Sequence, residues 1–77
     1  MSQPFTPVTS GARLSDQVAD QLAAEIRRGG LVPGDKLPTE ARLVAQFGVS
    51  RTVVREAVSR LKSLGLVDSR QGSGVFV

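Results

Sequence analysis

The strongest constraint in this sequence is the three-residue link Gly48–Ser50, which joins two segments that each carry an apolar face of helical spacing, residues 40–47 and about 50–64. The apolar residues are Leu43, Val44 and Phe47 in the first segment and Val54, Ala57, Val58, Leu61 and Leu64 in the second. A link this short, beginning with a glycine, favours the sharp bend of a helix-turn-helix. A plain helical hairpin inside a bundle is the alternative at this point.

The residues at the ends of both segments agree with a helix-turn-helix. Thr39 and Ser50 precede the two helices and suit the N-cap position, where a hydroxyl accepts a hydrogen bond from an otherwise unpaired backbone N–H. Gly48 is the expected left-handed terminator of the first helix of the pair.

Further elements are predicted on either side of this pair. Upstream, an apolar stripe predicts a helix over about residues 15–28; its members are Leu14, Val18, Ala19, Leu22, Ala23 and Ile26. Between that helix and the pair, the turn signal Pro33–Asp35 leaves Lys36–Leu37 as at most a very short strand. Downstream, two β-like runs, 66–70 and 75–77, flank a glycine-rich tip. Residues 13–77 are therefore predicted to form an α+β winged helix-turn-helix domain, with three helices and a C-terminal β-hairpin wing, after a flexible arm of residues 1–12.

The composition excludes several kinds of site. The chain has no cysteine and no histidine, so disulfides, thiolate chemistry and the common zinc sites are excluded, and we expect neither a metal nor a cofactor. Asp16, Asp20 and Glu25 are interpreted as solvated charges of the first helix, so we do not expect an enzyme. Neither a membrane span nor a secretory signal is visible, which favours the cytoplasm.

The positive charge is concentrated in the second half of the chain. Residues 1–39 carry as many acidic as basic side chains, whereas residues 40–77 hold the whole net charge of +3. Double-stranded DNA suits such a surface, because neutralising phosphates releases counterions. The alternative is a mildly basic, solvated surface.

The start of the last helix presents cationic side chains opposite its apolar face. Arg51 and Arg55 lie one turn apart, where a recognition helix meets base edges in the major groove. An arginine can bind O6 and N7 of guanine together. We therefore predict that this pair contacts bases, whereas Arg27, Arg28 and Arg60 are interpreted as solvated charges.

Other polar residues are predicted to contact the DNA backbone. On the recognition helix these are Ser50, Thr52 and Lys62, and on the wing they are Arg70, Gln71 and Ser73. The alternative for the wing tip is a turn without a contact, and the alternative for the whole domain is a protein–protein interaction module without DNA binding. The cationic helix face argues against that module, and a steep loss of binding with rising salt would separate the two functions.

Four stretches form one combined signature: Pro33–Glu40, Phe47–Ala57, Leu61–Val67 and Arg70–Val77. Together they resemble the GntR family of bacterial transcription regulators, and the resemblance covers about residues 13–77. The run Val53–Val58 is most similar to the FadR-like branch of that family.

The resemblance implies a homodimeric repressor or activator that binds a short DNA palindrome. A separate C-terminal domain of such proteins senses an effector and supplies most of the dimer contact, and we expect this domain to be absent after Val77. The resemblance also implies that Arg51 and Arg55 contact guanines and that Gly72 lies at the minor groove. The helix start at Thr39–Glu40 would lie against the DNA backbone.

The sequence departs from the family pattern at the second helix. The family usually has Arg and then Glu after the first Glu of that helix, whereas this chain has Ala41 and Arg42. Arg42 lies about 100° further round the helix than position 41, so we expect it to reach a phosphate instead of the same base. The change also removes the Thr-x-x-Glu capping box, which leaves Thr39 to cap the helix unaided.

We predict that Ala41→Arg narrows the set of bound sequences at one base of each half-site. The added guanidinium would read the base that the usual family arginine reads. Selection from a pool of random duplexes, followed by binding to every single-base variant, measures the effect. An unchanged profile across those variants contradicts this prediction.

Overall fold

A computed structural model of the chain describes Phe5, residues 13–70 and residues 72–77. The rest of the predicted arm and Gln71 lie outside the described residues. The elements are three helices, α1 (Leu14–Arg27), α2 (Glu40–Phe47) and α3 (Arg51–Ser63), and two antiparallel strands, β1 (Asp68–Arg70) and β2 (Gly74–Phe76). This order confirms the predicted winged helix-turn-helix.

The helix-turn-helix is built from the local interactions that the sequence predicts. Thr39 caps α2, and its hydroxyl accepts from the N–H of Arg42 at 3.2 Å. Gly48 ends α2 in the left-handed conformation, with φ of 67°, and donates its N–H to Val44 at 2.9 Å. Ser50 then caps α3 by accepting from the N–H of Val53 at 3.2 Å. Both ends of α2 and the start of α3 are therefore held by a capping side chain or a glycine.

The core is formed where the inner faces of α1, α2 and α3 meet, with α3 packed against both other helices. Its fully buried side chains are Phe47, Leu22, Leu43, Leu61, Val18 and Val54. The ring of Phe5 stacks on that of Phe47, with 5.1 Å between centroids, so at least this residue of the predicted arm packs against the core. Leu64 was predicted to belong to the core, but 57% of it is exposed, because α3 ends at Ser63 and Leu64 adopts a capping conformation.

Glu25 corrects a second expectation. It was interpreted as a solvated charge, yet it is only 8% exposed and accepts from Nε of Arg28 at 2.8 Å. Its carboxylate also lies over Gly30, where a Cβ would collide with it. A carboxylate this far from water needs a cationic partner, so Arg28 has a structural role at the end of α1 and is not simply a solvated charge. Arg60 also has a partner, Asp16 of α1, at 3.6 Å.

The wing is tied to the loop that precedes α2. Within the wing, Ser69 pairs with Val75 and Arg70 with Gly74, and the strands are shorter than the predicted runs 66–70 and 75–77. Val67 instead enters the core. The backbone of Leu37 donates to Val75 at 2.8 Å, beside an isolated bridge between Lys36 and Phe76. The expected short strand at Lys36–Leu37 is thus this bridge, which extends the wing by one edge.

We predict that Gly48→Ala lowers the free energy of unfolding by about 1–2 kcal/mol, the cost of the left-handed conformation for a residue with a Cβ. The space around Gly48 is open, so steric overlap with other residues contributes nothing. Urea unfolding followed by circular dichroism measures the change. Gly48→Asn is the matched control and should lose less, because asparagine tolerates this conformation; equal losses for the two variants contradict this explanation.

Candidate nucleic-acid interface

The predicted contact residues lie on the outside of the domain. Eleven of the twelve fall within the described residues: Thr39, Glu40, Arg42, Ser50, Arg51, Thr52, Arg55, Lys62, Arg70, Gly72 and Ser73. Ten of these are exposed, and Glu40 is partly buried. Gln71 is the twelfth and lies outside the described residues. The surface that they form combines the starts of α2 and α3 with the wing.

The start of α3 is the most strongly cationic part of this surface. Arg51 and Arg55 extend from consecutive turns, and 67% of each side chain is exposed. Their positions on the outer face follow from the burial of Val54 and Ala57 on the inner face. Because Ser50 caps the helix and the inner face is buried, the two arginines are presented from a rigid segment.

Glu40 joins these two arginines, a contact that the sequence analysis did not predict. Its Oε1 lies 3.1 Å from Nε of Arg51, and its Oε2 accepts a hydrogen bond from Nε of Arg55 at 3.0 Å. One carboxylate at the start of α2 therefore bridges two guanidinium groups of α3. The expectation for Glu40 concerned the helix start and the DNA backbone, and its side-chain partners become visible only when α2 and α3 are placed together.

A groove of about 540 Å³ runs between α3 and the wing. It has a mainly apolar floor and a polar rim, and five of the predicted contact residues line it: Thr39, Glu40, Arg55, Lys62 and Ser73. Arg51 is joined to this set through Glu40. The other predicted residues, Arg42, Ser50, Thr52, Arg70 and Gly72, are exposed outside the groove lining.

Lys36 also lines this groove, and sequence reasoning missed it. The antiparallel bridge to Phe76 brings it to the wing, where its side chain crosses Gly74. A Cβ at Gly74 would lie 2.7 Å from Cε of Lys36, which the end of that flexible side chain could avoid by moving; the φ of 115° is what favours glycine there. The signal in the sequence was the pair Lys36–Leu37 after a turn, which predicted a short strand but not its partner.

Within the wing, an arginine side chain lies close to an aromatic ring. The guanidinium carbon of Arg70 lies 4.7 Å from the ring centroid of Phe76, within the range of a cation–π interaction. The turn between the strands is closed by the N–H of Ser73, which donates to the carbonyl of Arg70 at 3.0 Å. Arg70 is thus directed across the hairpin from β1 to β2 while its side chain stays exposed.

Two further features are absent from the described part of the chain. It contains no cluster of three or more acidic side chains that could hold a metal ion. None of its helices is both long enough and apolar enough to cross a bilayer.

Comparisons of the sequence with a family profile and with known proteins agree on one family. The profile of the family described as "Bacterial regulatory proteins, gntR family" matches residues 14–77. The mannosyl-D-glycerate transport/metabolism system repressor MngR of Escherichia coli (strain K12) is 49% identical over 61 residues, which are 79% of this chain and 25% of MngR. The regulator Mce2R of Mycobacterium tuberculosis (strain CDC 1551 / Oshkosh) is 46% identical over 66 residues, 86% of this chain and 27% of Mce2R. The chain thus spans about a quarter of the length of these relatives.

Solved structures agree with the sequence comparison. The DNA-binding domain of AraR, in complex with operator ORE1, superposes with a TM-score of 0.83 at 40% identity, over 95% of this chain and 92% of the AraR chain. YtrA from Sulfolobus acidocaldarius, a GntR-family transcription factor, has a TM-score of 0.80 at 30% identity, over 94% of this chain and 77% of YtrA. The fold, the family profile and these relatives agree, and the chain belongs to the GntR family of bacterial regulatory proteins.

Proposed function

We propose that this domain binds double-stranded DNA in a sequence-specific manner and thereby controls transcription. The observation that carries the proposal is the pair Arg51 and Arg55, exposed one turn apart at the capped start of α3. The AraR domain that shares this fold is bound to its operator, and MngR is a repressor. A cationic helix start on a rigid scaffold is the arrangement that major-groove reading requires.

In this proposal α3 enters the major groove and the wing lies at the minor groove or the backbone. Arg51 and Arg55 contact guanines, and Gly72 allows a close approach at the minor groove. The phosphate contacts come from Arg42, Ser50, Thr52, Lys62, Arg70, Gln71 and Ser73, together with the helix start at Thr39–Glu40. Thr39 and Ser50 keep this capacity while they cap, because a hydroxyl that accepts a hydrogen bond can still donate its own proton.

Lys36 is added to the phosphate contacts on the basis of its position. It lines the groove between the wing and α3 together with Lys62 and Arg55. Three cations around one groove attract a polyanion more strongly than isolated charges do. This addition extends the cationic surface into the first half of the chain, where the net charge is zero.

The wider assembly belongs to the same proposal. The part that aligns with this chain is about a quarter of each relative, so the remaining length accommodates an effector-binding domain that pairs two copies. A homodimer would place two recognition helices on a palindrome, as two-fold symmetry requires. The protein would act in the cytoplasm, where bacterial DNA is located, and its role would be regulatory rather than catalytic.

We predict that Arg51→Ala and Arg55→Ala each weaken binding to the selected duplex, the sequence that this chain enriches from a random pool, by about 1–3 kcal/mol. The loss of binding free energy on a random duplex should be smaller. The reason is that base contacts are lost in addition to charge. Fluorescence anisotropy with both duplexes measures the difference. Arg27→Ala, which removes an exposed charge from the end of α1, is the control and should leave the dissociation constants for both duplexes nearly unchanged. Equal losses on both duplexes would argue against base reading.

We predict that Lys36→Met weakens binding to selected and random duplexes alike. Methionine keeps an unbranched stem to lie across Gly74 but removes the charge, so one phosphate contact is lost without repacking the wing. The slope of log K against log salt should become shallower by about 1. A titration at four salt concentrations measures the slope, again with Arg27→Ala as the control; an unchanged slope means that Lys36 does not reach a phosphate.

A further inference from the structure

The bridge formed by Glu40 calls for an explanation beyond stability. More than a third of its side chain and about two thirds of each arginine side chain are exposed, as the relative exposures of 36% and 67% show. Ion pairs this exposed contribute little to folding stability. A carboxylate on a surface that meets phosphates also opposes binding by charge repulsion. The contacts of its side chain are with the two arginines, so its effect on them is the role that stability does not explain.

The geometry determines which part of each guanidinium stays available. Both arginines meet Glu40 through Nε, which is the inner edge of the group. In both arginines Nε is the nitrogen in contact with Glu40, and the terminal Nη atoms lie further out along the side chain. The two terminal nitrogens of one guanidinium can donate together to O6 and N7 of one guanine. The bridge therefore occupies the inner edge and leaves the base-reading edge free.

Glu40 is itself held in place from three sides. It is the first residue of α2, directly after the cap Thr39, where a negative charge is favoured by the helix dipole. Pro38 precedes the cap Thr39, and its ring restricts the backbone φ at that point. Through its two carboxylate oxygens it also offsets the repulsion between two like charges on consecutive turns of α3. The carboxylate thus connects the fixed start of α2 to both arginines.

We propose that Glu40 is a positioning residue that holds Arg51 and Arg55 in one register toward two bases and so increases sequence discrimination while reducing non-specific affinity. The inference rests on the proposed DNA binding and deepens it. In this proposal the main chain of Glu40 meets the DNA backbone at the start of α2, while its side chain positions the two arginines. Discrimination increases because rotamers that would bind other base edges or phosphates lose the shared carboxylate.

The test compares the whole 77-residue chain with Glu40→Gln, which keeps the shape of the side chain and removes its charge. Three duplexes are used: the selected sequence, the selected sequence with 7-deazaguanine at each guanine, and a random sequence. We expect binding to the random duplex to become several-fold tighter and the ratio of selected to random affinity to fall about tenfold. Replacing N7 should also weaken the variant less than the parent chain, because fewer bidentate contacts are formed.

Two controls separate positioning from charge and from folding. Asp20→Asn removes the same charge from the exposed face of α1 and should leave the affinity ratio unchanged. Urea unfolding should show that Glu40→Gln, like the parent chain, is fully folded under the binding conditions, with at most a small shift of the midpoint from the lost charge at the helix start. In the double variant Glu40→Gln with Arg55→Ala, the two losses of discrimination should be less than additive, because they act through one contact.

The outcomes distinguish this inference from the proposed function. If the parent chain shows no preference among duplexes, the proposed function fails and the inference fails with it. If the parent chain discriminates but Glu40→Gln keeps the same ratio and the same response to 7-deazaguanine, only the positioning role is overturned. Discrimination lost at a cytosine while the guanines keep theirs would also overturn it, because Glu40 would then read the amino group of that base directly.

Discussion

The orientation of the recognition helix depends on one junction, where the buried ring of Phe47 is followed directly by the left-handed turn at Gly48. Phe47 is completely buried, so the end of α2 cannot shift without opening the core. Gly48 then turns the chain sharply, and Ser50 caps the start of α3 two residues later. With so short a link, the position of α3 relative to α2 is set by the core and by a single backbone conformation. This junction therefore determines the direction in which the side chains on the outer face of α3 point.

Electrostatics builds on that frame. The described core is almost entirely aliphatic apart from Phe47, and its one deeply buried carboxylate, Glu25, is paired with Arg28. Outside the core, a second carboxylate, Glu40, is surrounded by cations on the surface that we propose binds DNA. Burial explains the different roles of the two acids. Glu25 needs its cationic partner because its carboxylate is removed from water. Glu40 is solvated, so its ion pairs add little to folding stability, and in our proposal its main effect is on the orientation of the two arginines.

Much of the fold was predictable because the signals are local. The apolar stripes, the caps at Thr39 and Ser50 and the glycine at position 48 act within one or two helical turns, and the helix bounds came out within one or two residues. The errors also have local causes. Leu64 continues the apolar spacing of α3, but the helix ends before it, and spacing alone does not reveal where packing stops. Glu25 has the spacing of a solvated face, but the turn at Gly30 and the side chain of Arg28 lie against its carboxylate.

For the candidate site, amino-acid sequence and tertiary structure contributed different things. Residue type and helical period were enough to identify Arg51 and Arg55 as an exposed cationic pair, since the opposite face must be buried. The bridge from Glu40, the position of Lys36 across Gly74 and the stacking of Phe5 on Phe47 depend on packing between elements that are distant in the chain. Periodicity and capping act over a few residues and carry no information about such distances. Those contacts were therefore determined only when the core brought α2, α3 and the wing together.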